Sequence, residues 1–297
     1  MSQTTSSDTS PAAIAIVGAG AVGGLLAVLL HRAGVEVVVV ARPATARTIT
    51  ADGIRLQSTQ FGDGHAMVPA LTEVPGGARV ILATKAFAVP GLVDELAASR
   101  PTELVSLLNG IEHMKTLRAS VPSGLLAGGS IAVETTRLGP AVIEHRSPFL
   151  RLTVPADAAD SAIVAAWRSA GLTVVSAGSE AEVLWSKLRF LAPMALLTAY
   201  WQQPIGAAVA HDQTLTAGLL AEVAAIATLD GVPTAPDQLV GALTALPPAM
   251  RSSLQGDLEH GHQNELDAIG GALVRRGAAL GADSSILQRI VADLGSR

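Results

Sequence analysis

Apolar and polar positions along this chain fall into two regimes. Short, almost wholly apolar runs at residues 14–17, 36–40, 78–84 and 103–108 read as buried parallel strands, separated by segments of helical character at 21–33 and 85–98. Further short runs at 130–135, 149–154 and 172–175, with Pro and Gly between them, are expected to finish the same sheet. From residue 179 the strand pattern stops. Helical periodicity takes over at 181–197, 215–229, 237–246, 264–280 and 284–294. Strands and helices first, then helices alone, predict an α/β domain over 13–178 and an all-α domain over 179–297, with the boundary near 177–179. The Ser- and Thr-rich stretch 1–12 is expected to be a disordered leader.

The first run opens onto Gly18-Ala19-Gly20-Ala21-Val22-Gly23, a G-x-G-x-x-G turn leading into a helix. That motif is weak alone. Here a strand precedes it, a helix follows, Gly34 is placed to end that helix, and a second strand completes a βαβ unit of about 30 residues. The three glycines then serve a tight turn, a close backbone approach to a pyrophosphate, and close helix–strand packing, with the anion held at a helix N-terminus. The fold class is thus an α/β, doubly wound dinucleotide-binding domain followed by a helical one.

Sites of this type that prefer NAD end the second strand in Asp or Glu, whereas an Arg accommodates a 2′-phosphate. This strand ends in Val40-Ala41-Arg42, and Glu36 lies too early, at its mouth. The cofactor expected is NADPH/NADP+. Residues 14–30 carry no charge, yet a membrane span or signal segment is rejected, because the run holds the phosphate-loop glycines and no Lys or Arg precedes it.

Lys85 and Asn109 each follow a strand, and ligands in open α/β sheets lie beyond the carboxyl ends of strands. Each also has an ordinary reading, as a solvated helix start and as an Asn-Gly turn. In the helical part, the only charges between Val183 and Trp201 are Lys187 and Arg189. A lysine in such company either extends its ammonium to water or is desolvated with a lowered pKa; the pattern by itself favours the first.

With 297 residues, 49% hydrophobic and 15% charged, and a net charge of −5, the composition is that of a compact soluble enzyme. Mild acidity without a Lys/Arg cluster argues against nucleic acid and anionic membranes as partners. The absence of cysteine excludes disulfides and thiolate chemistry, and fits a reducing cytoplasm.

Taken in order, these motifs resemble the ketopantoate reductase family. The resemblance rests on the glycine turn, Ala41-Arg42, Thr84-Lys85-Ala86, Leu108-Asn109-Gly110, Trp185-Ser186-Lys187-Leu188, and Ser253 followed by Glu265-Leu266-Asp267. It implies a Rossmann domain and a helical domain with NADPH-dependent reduction of a small 2-oxo acid in the cleft between them, and it leaves a homodimer open. By the same resemblance Lys187 is the general acid, Lys85 and Asn109 line the cofactor side, Ser253 binds the substrate carboxylate, and Glu265 contacts substrate or holds Lys187. Glu265 also suits a helix start behind an Asn264 cap, whatever the chemistry.

Several positions depart from the family. Its usual Asn residues four and eight positions after the lysine are Leu191 and Ala195 here, which predicts an apolar substrate wall and a more hydrophobic ketone, 2-oxo acid or imine. Pro193 is expected to kink the lysine helix, Asn264 stands for the usual Thr, and Gly270 for the usual Asn. His260 and His262 lack a third ligand at metal-binding spacing, so no metal is expected; His31, His65, His113, His145 and His211 carry no pattern. Neither a G-x-S-x-G elbow nor a Walker loop occurs. An imine or opine-type reductase and a non-catalytic NADP(H) sensor are the alternative functions.

Overall fold

Strand Ile14–Val17 is buried at every position, as a central strand covered on both faces must be. In the computed structural model, which describes residues 13–297, it pairs in parallel with Val37–Val40 and Arg79–Leu82, in a register that aligns Val17 with Val40 and with Leu82. The carboxyl ends of three strands therefore lie level. The full sheet has six parallel strands in the order Ala70–Leu71, Val37–Val40, Ile14–Val17, Arg79–Leu82, Glu103–Ser106, Leu125–Gly128. Residues 1–12, the expected leader, lie outside the described residues.

Helix Ala21–Arg32 follows the glycine turn, and residues Gly23 to Leu30 are all buried. An all-round apolar helix needs cover on every side. One side is the parallel sheet. Another is a four-stranded mixed sheet of Thr135–Gly139, Val142–His145, Ile54–Ser58 and Gly64–Ala66, whose Ile143 side chain comes so close that Gly24 has no room for a Cβ. This enclosure explains the uncharged run without a membrane, and no described helix is long and apolar enough to cross one.

Three expectations need correction. The runs at 130–135, 149–154 and 172–175 do not finish the parallel sheet; Ser130–Ala132, Arg151–Val154 and Thr173–Ser176 form a separate three-stranded sheet. Leu125–Gly128 takes the sixth place instead. The helix expected over 85–98 is a 3-10 turn, Ala86–Gly91, then a short helix, Val93–Ser99, because Pro90 cannot continue an α-helical ladder. The segment 264–280 contains a π turn, Asp267–Gly271, before helix Ala272–Leu280.

The chain divides into two compact units. The first holds the described residues up to Thr84 together with Pro90–Leu107 and Leu117–Ser176; the second holds Lys85–Val89, Leu108–Thr116 and Ala177–Arg297. Two short segments of the N-terminal half thus belong with the helices rather than with the sheet that precedes them. The helical unit is built around Glu180–Trp201, the lysine helix. Its start is fixed by a capping box, with Glu182 N donating to Ser179 Oγ and Ser179 N to Glu182 Oε2 at 2.6 Å. It runs unbroken through Pro193, whose missing N–H leaves one gap in the ladder, and ends at Gln202 in the left-handed region. Trp185, Leu188, Leu196, Leu219, Leu273 and Ile290 are buried in this unit's core.

At the glycine turn, Gly18 has φ of +108° and Ala83 O lies 2.8 Å from where its Cβ would be, whereas Gly20 would meet nothing nearer than 4.0 Å. A methyl at Gly23 would run into the Gly18 carbonyl. Gly23→Ala is therefore expected to cost about 1–3 kcal/mol through overpacking, and Gly20→Ala distinctly less. Urea unfolding of the two variants side by side checks the order, and equal losses would contradict the packing argument.

Candidate active site

Helix Ala21–Arg32 has no side-chain cap at its N-terminus and no acidic residue in its first turn. Its first N–H groups are available to an anion, and the close-packed glycines keep side chains out of the approach. Ala19, Ala21 and Val22 supply backbone and small side chains around this turn. Arg42 lies two residues past Val40, exposed, as the residue before helix Pro43–Asp52. Every feature that a dinucleotide pyrophosphate requires of a turn is present, so these residues fit the cofactor.

The second unit gathers Lys85, Asn109, Lys187 and Glu265, with Asp257 added. Glu265 is the centre. Its carboxylate is 4% exposed and accepts hydrogen bonds from Ala86 N at 3.2 Å and Asn109 Nδ2 at 3.0 Å, with Lys85 Nζ 3.2 Å away. Lys85 Nζ also lies 3.3 Å from Asp257 Oδ2. Burial pulls the Lys85 pKa down, but the charges and hydrogen bonds of Glu265 and Asp257 outweigh it and hold the ammonium above the ordinary lysine value.

Two local devices set Glu265 in place. Asn264 Oδ1 accepts from Leu266 N at 3.0 Å, capping the chain as it enters the π turn. Gly110, at φ +86°, packs so closely on the turn that a Cβ would stand 2.5 Å from Ala268 O. The Asn-Gly pair is thus both a turn and an approach surface, and only Gly permits it. Gly270 has a steric reason as well, since Val291 and Leu196 occupy the space that a side chain there would need.

Lys187 is half-buried and makes no hydrogen bond or ion pair with any described residue, while its neighbour Arg189 bonds Thr234 Oγ1 at 3.1 Å. Burial lowers its pKa to about 8, against the partial opposition of the Glu265 charge. The lysine helix also grips the helix Ser253–Glu259. Thr198 Oγ1, fully buried, lies 2.7 Å from Ser252 Oγ, and Ser252 caps that helix by accepting from Gln255 N. Ser253 is exposed at its first position and Asp257 lies one turn on. Of the expected apolar wall, Leu191 is half-buried, whereas Ala195, 1% exposed, is enclosed in the core and presents no surface to a ligand.

Sequence reasoning passed over two members. Asp257 stands one helical turn from Ser253, but its partner is 172 positions away in the chain. His113, four residues after Asn109, is buried with both ring nitrogens lacking a partner. Burial pushes its pKa down to about 4 against the pull of Glu180 and Glu265, so it is neutral near pH 7. His260 and His262 stack at 5.6 Å, and no described group of three His, Cys, Asp or Glu is placed to hold a metal.

A nicotinamide-dependent oxidoreductase is the class that such a glycine turn and such a lysine define. Comparison with known proteins gives the family. The ketopantoate reductase PanE/ApbA model matches residues 14–157 and its C-terminal companion residues 181–296, so the chain belongs to the ketopantoate reductase family, NAD(P)-dependent oxidoreductases acting on keto acids. It is similar to a 2-dehydropantoate 2-reductase of Caulobacter vibrioides, 26% identical over 95% of this chain and 98% of that one. A PanE/ApbA family ketopantoate reductase from Ralstonia eutropha superposes with a TM-score of 0.86 at 28% identity, covering 95% of this chain and 97% of the other. D-mandelate dehydrogenase with NADH and anilino(oxo)acetate shares the fold, with a TM-score of 0.85 at 20% identity and coverage of 95% and 97%.

The lowered Lys187 pKa has a consequence for stability. The folded lysine releases its proton near 8, the unfolded one near 10.5, so unfolding takes up a proton between these values and stability rises with pH across that window. Below pH 8 the cost of the buried charge is fully present. Lys187→Met is expected to melt higher than the parent at pH 7, with the gain shrinking as pH approaches 10.5; melting curves at several pH values test this, and a lower melting temperature at pH 7 would contradict it.

Proposed function

We propose that this protein reduces a small, apolar 2-oxo acid or related ketone to the hydroxy compound with NADPH. The observation that carries this reading is Lys187: a half-buried ammonium, without a hydrogen-bond or ion-pair partner among the described residues and with a pKa of about 8, in the same unit as the buried Glu265 carboxylate.

When bound, the dihydronicotinamide supplies the hydride that the carbonyl carbon accepts. Negative charge then builds on the carbonyl oxygen. The Lys187 ammonium stabilises that charge and delivers its proton to the oxygen, after which the neutral amine regains a proton from solvent. An acid with a pKa near the working pH gives up its proton readily yet is still protonated when substrate arrives. Glu265 keeps Lys187 from falling further, since its charge is the one that raises the lysine pKa. Ser253 offers its exposed hydroxyl to the substrate carboxylate.

For the cofactor, Gly18 to Gly23 receive the pyrophosphate, and the family resemblance assigns Lys85 and Asn109 to cofactor binding. Arg42 takes the 2′-phosphate, which favours NADPH over the NADH found with the D-mandelate dehydrogenase. Leu191 in place of an amide favours substrates without a hydroxyl to satisfy, because a site lacking a hydrogen-bonding partner gains nothing from one.

The test follows cofactor oxidation with NADPH and NADH over a panel of 2-oxo acids that includes ketopantoate. Turnover is expected with NADPH and best on apolar 2-oxo acids, with kcat falling as pH rises through about 8 because the acid form of Lys187 is lost. Lys187→Ala should lose roughly 10²–10⁴-fold in rate. In Glu265→Gln the remaining pH limb should move to lower pH. Selective turnover of ketopantoate would overturn the substrate assignment, and an undiminished Lys187→Ala variant the mechanism.

A further inference from the structure

Two carboxylates flank the residues that meet at the centre of the site: Glu112 follows Asn109 by three positions, and Asp267 follows Glu265 by two. Arg275, on helix Ala272–Leu280, holds both. Its Nε donates to Glu112 Oε1 and Oε2 at 3.1 Å each, and its Nη2 to Glu112 Oε2 at 2.6 Å. Towards Asp267, Nη1 donates to Oδ1 at 2.7 Å and Nη2 to Oδ2 at 3.0 Å. All three nitrogens of one guanidinium are engaged on two carboxylates, a fork that a lysine has no geometry to reproduce.

The surroundings are shaped to this fork. A Cβ on Gly271 would stand 2.5 Å from Asp267 Oδ1 and 3.2 Å from Arg275 Nη1, so a larger residue there would press on the bridge. Gly110 meanwhile lets its loop lie directly on the Ala268 carbonyl, which puts the two bridged segments in backbone contact.

We propose that Arg275 is a positioning residue: by tying Glu112 to Asp267 it clamps the segment Leu108–Thr116 onto the π turn that follows Glu265. The clamp keeps Asn109 Nδ2 on Glu265 Oε2, and so fixes the carboxylate that sets the charge around Lys187. Arg275, Glu112 and Asp267 are 48%, 45% and 80% exposed, and exposed ion pairs add little to global stability. The effect of this one is therefore on placement. Its catalytic consequence rests on the reductase reading above; the clamp itself does not.

Full-length Arg275→Met and Arg275→Lys separate the two claims. In Arg275→Met, hydrogen exchange across residues 110–116 is expected to speed up roughly tenfold or more while the melting temperature falls by less than about 4 °C. Its kcat should drop roughly tenfold or more, since displacements of about 1 Å are that costly in rate, and Arg275→Lys should recover only part of either change. Unchanged exchange in Arg275→Met would refute the clamp whatever the activity. Faster exchange with unchanged kcat would refute the positioning role. If the parent protein reduced no oxo compound, the reductase reading would fail, and exchange alone would decide the clamp.

Discussion

One buried negative charge organises the helical unit. Glu265 is almost wholly removed from water, and a carboxylate in that position is tolerable only if its lone pairs are met by donors and its charge by a cation. The donors are Ala86 N and Asn109 Nδ2, and the cation is Lys85. These partners sit in Lys85–Val89 and Leu108–Thr116, the two segments of the N-terminal half that group with the helices. Compensation of Glu265 accounts for that grouping: each segment leaves a strand of the parallel sheet and supplies what the carboxylate lacks.

The same charge divides the two lysines. Lys85 touches Glu265 and Asp257, and its ammonium is favoured; Lys187, half-buried and without a hydrogen-bonded partner among the described residues, has its ammonium disfavoured by desolvation. One is a fixed cation and the other holds its proton loosely near neutrality, the division of labour on which the proposed reduction relies. His113, buried and neutral, adds no competing positive charge beside Glu265. Packing around these groups is tight where movement would be harmful, as Gly110 against Ala268 and Gly270 against Val291 and Leu196 show.

Much of the frame was legible along the chain. The first strands, the glycine turn and the change to helical periodicity near residue 179 all follow from local spacing of apolar residues, and the structure has each of them. Reading failed where local pattern was not the deciding term. The runs after residue 130 have strand character, but long-range contacts choose their pairing partners, and these place them in a separate three-stranded sheet. The Pro193 gap was visible; that the helix carries on through it is decided by the core that encloses both sides.

The site divides in the same way. Strand ends mark Lys85 and Asn109, and an apolar helix singles out Lys187, each a local signal; Glu265 and the acid role of Lys187 came only with the family resemblance. Their relations were not local. Nothing along the chain says that Asp257 meets Lys85, that Arg275 reaches Glu112 from 163 positions away, or that Ala195 is sealed into the core while Leu191 is not. Sequence by itself determined the first strands, the glycine turn and the helical character of the second half, since those depend on residue chemistry and near neighbours, but it left Ile54–Ser58, Leu125–Gly128 and Ser253–Glu259 unmarked. Tertiary structure alone decided which charges are paired and which are stranded, because dielectric surroundings and hydrogen-bond partners come from residues brought together only when the chain folds.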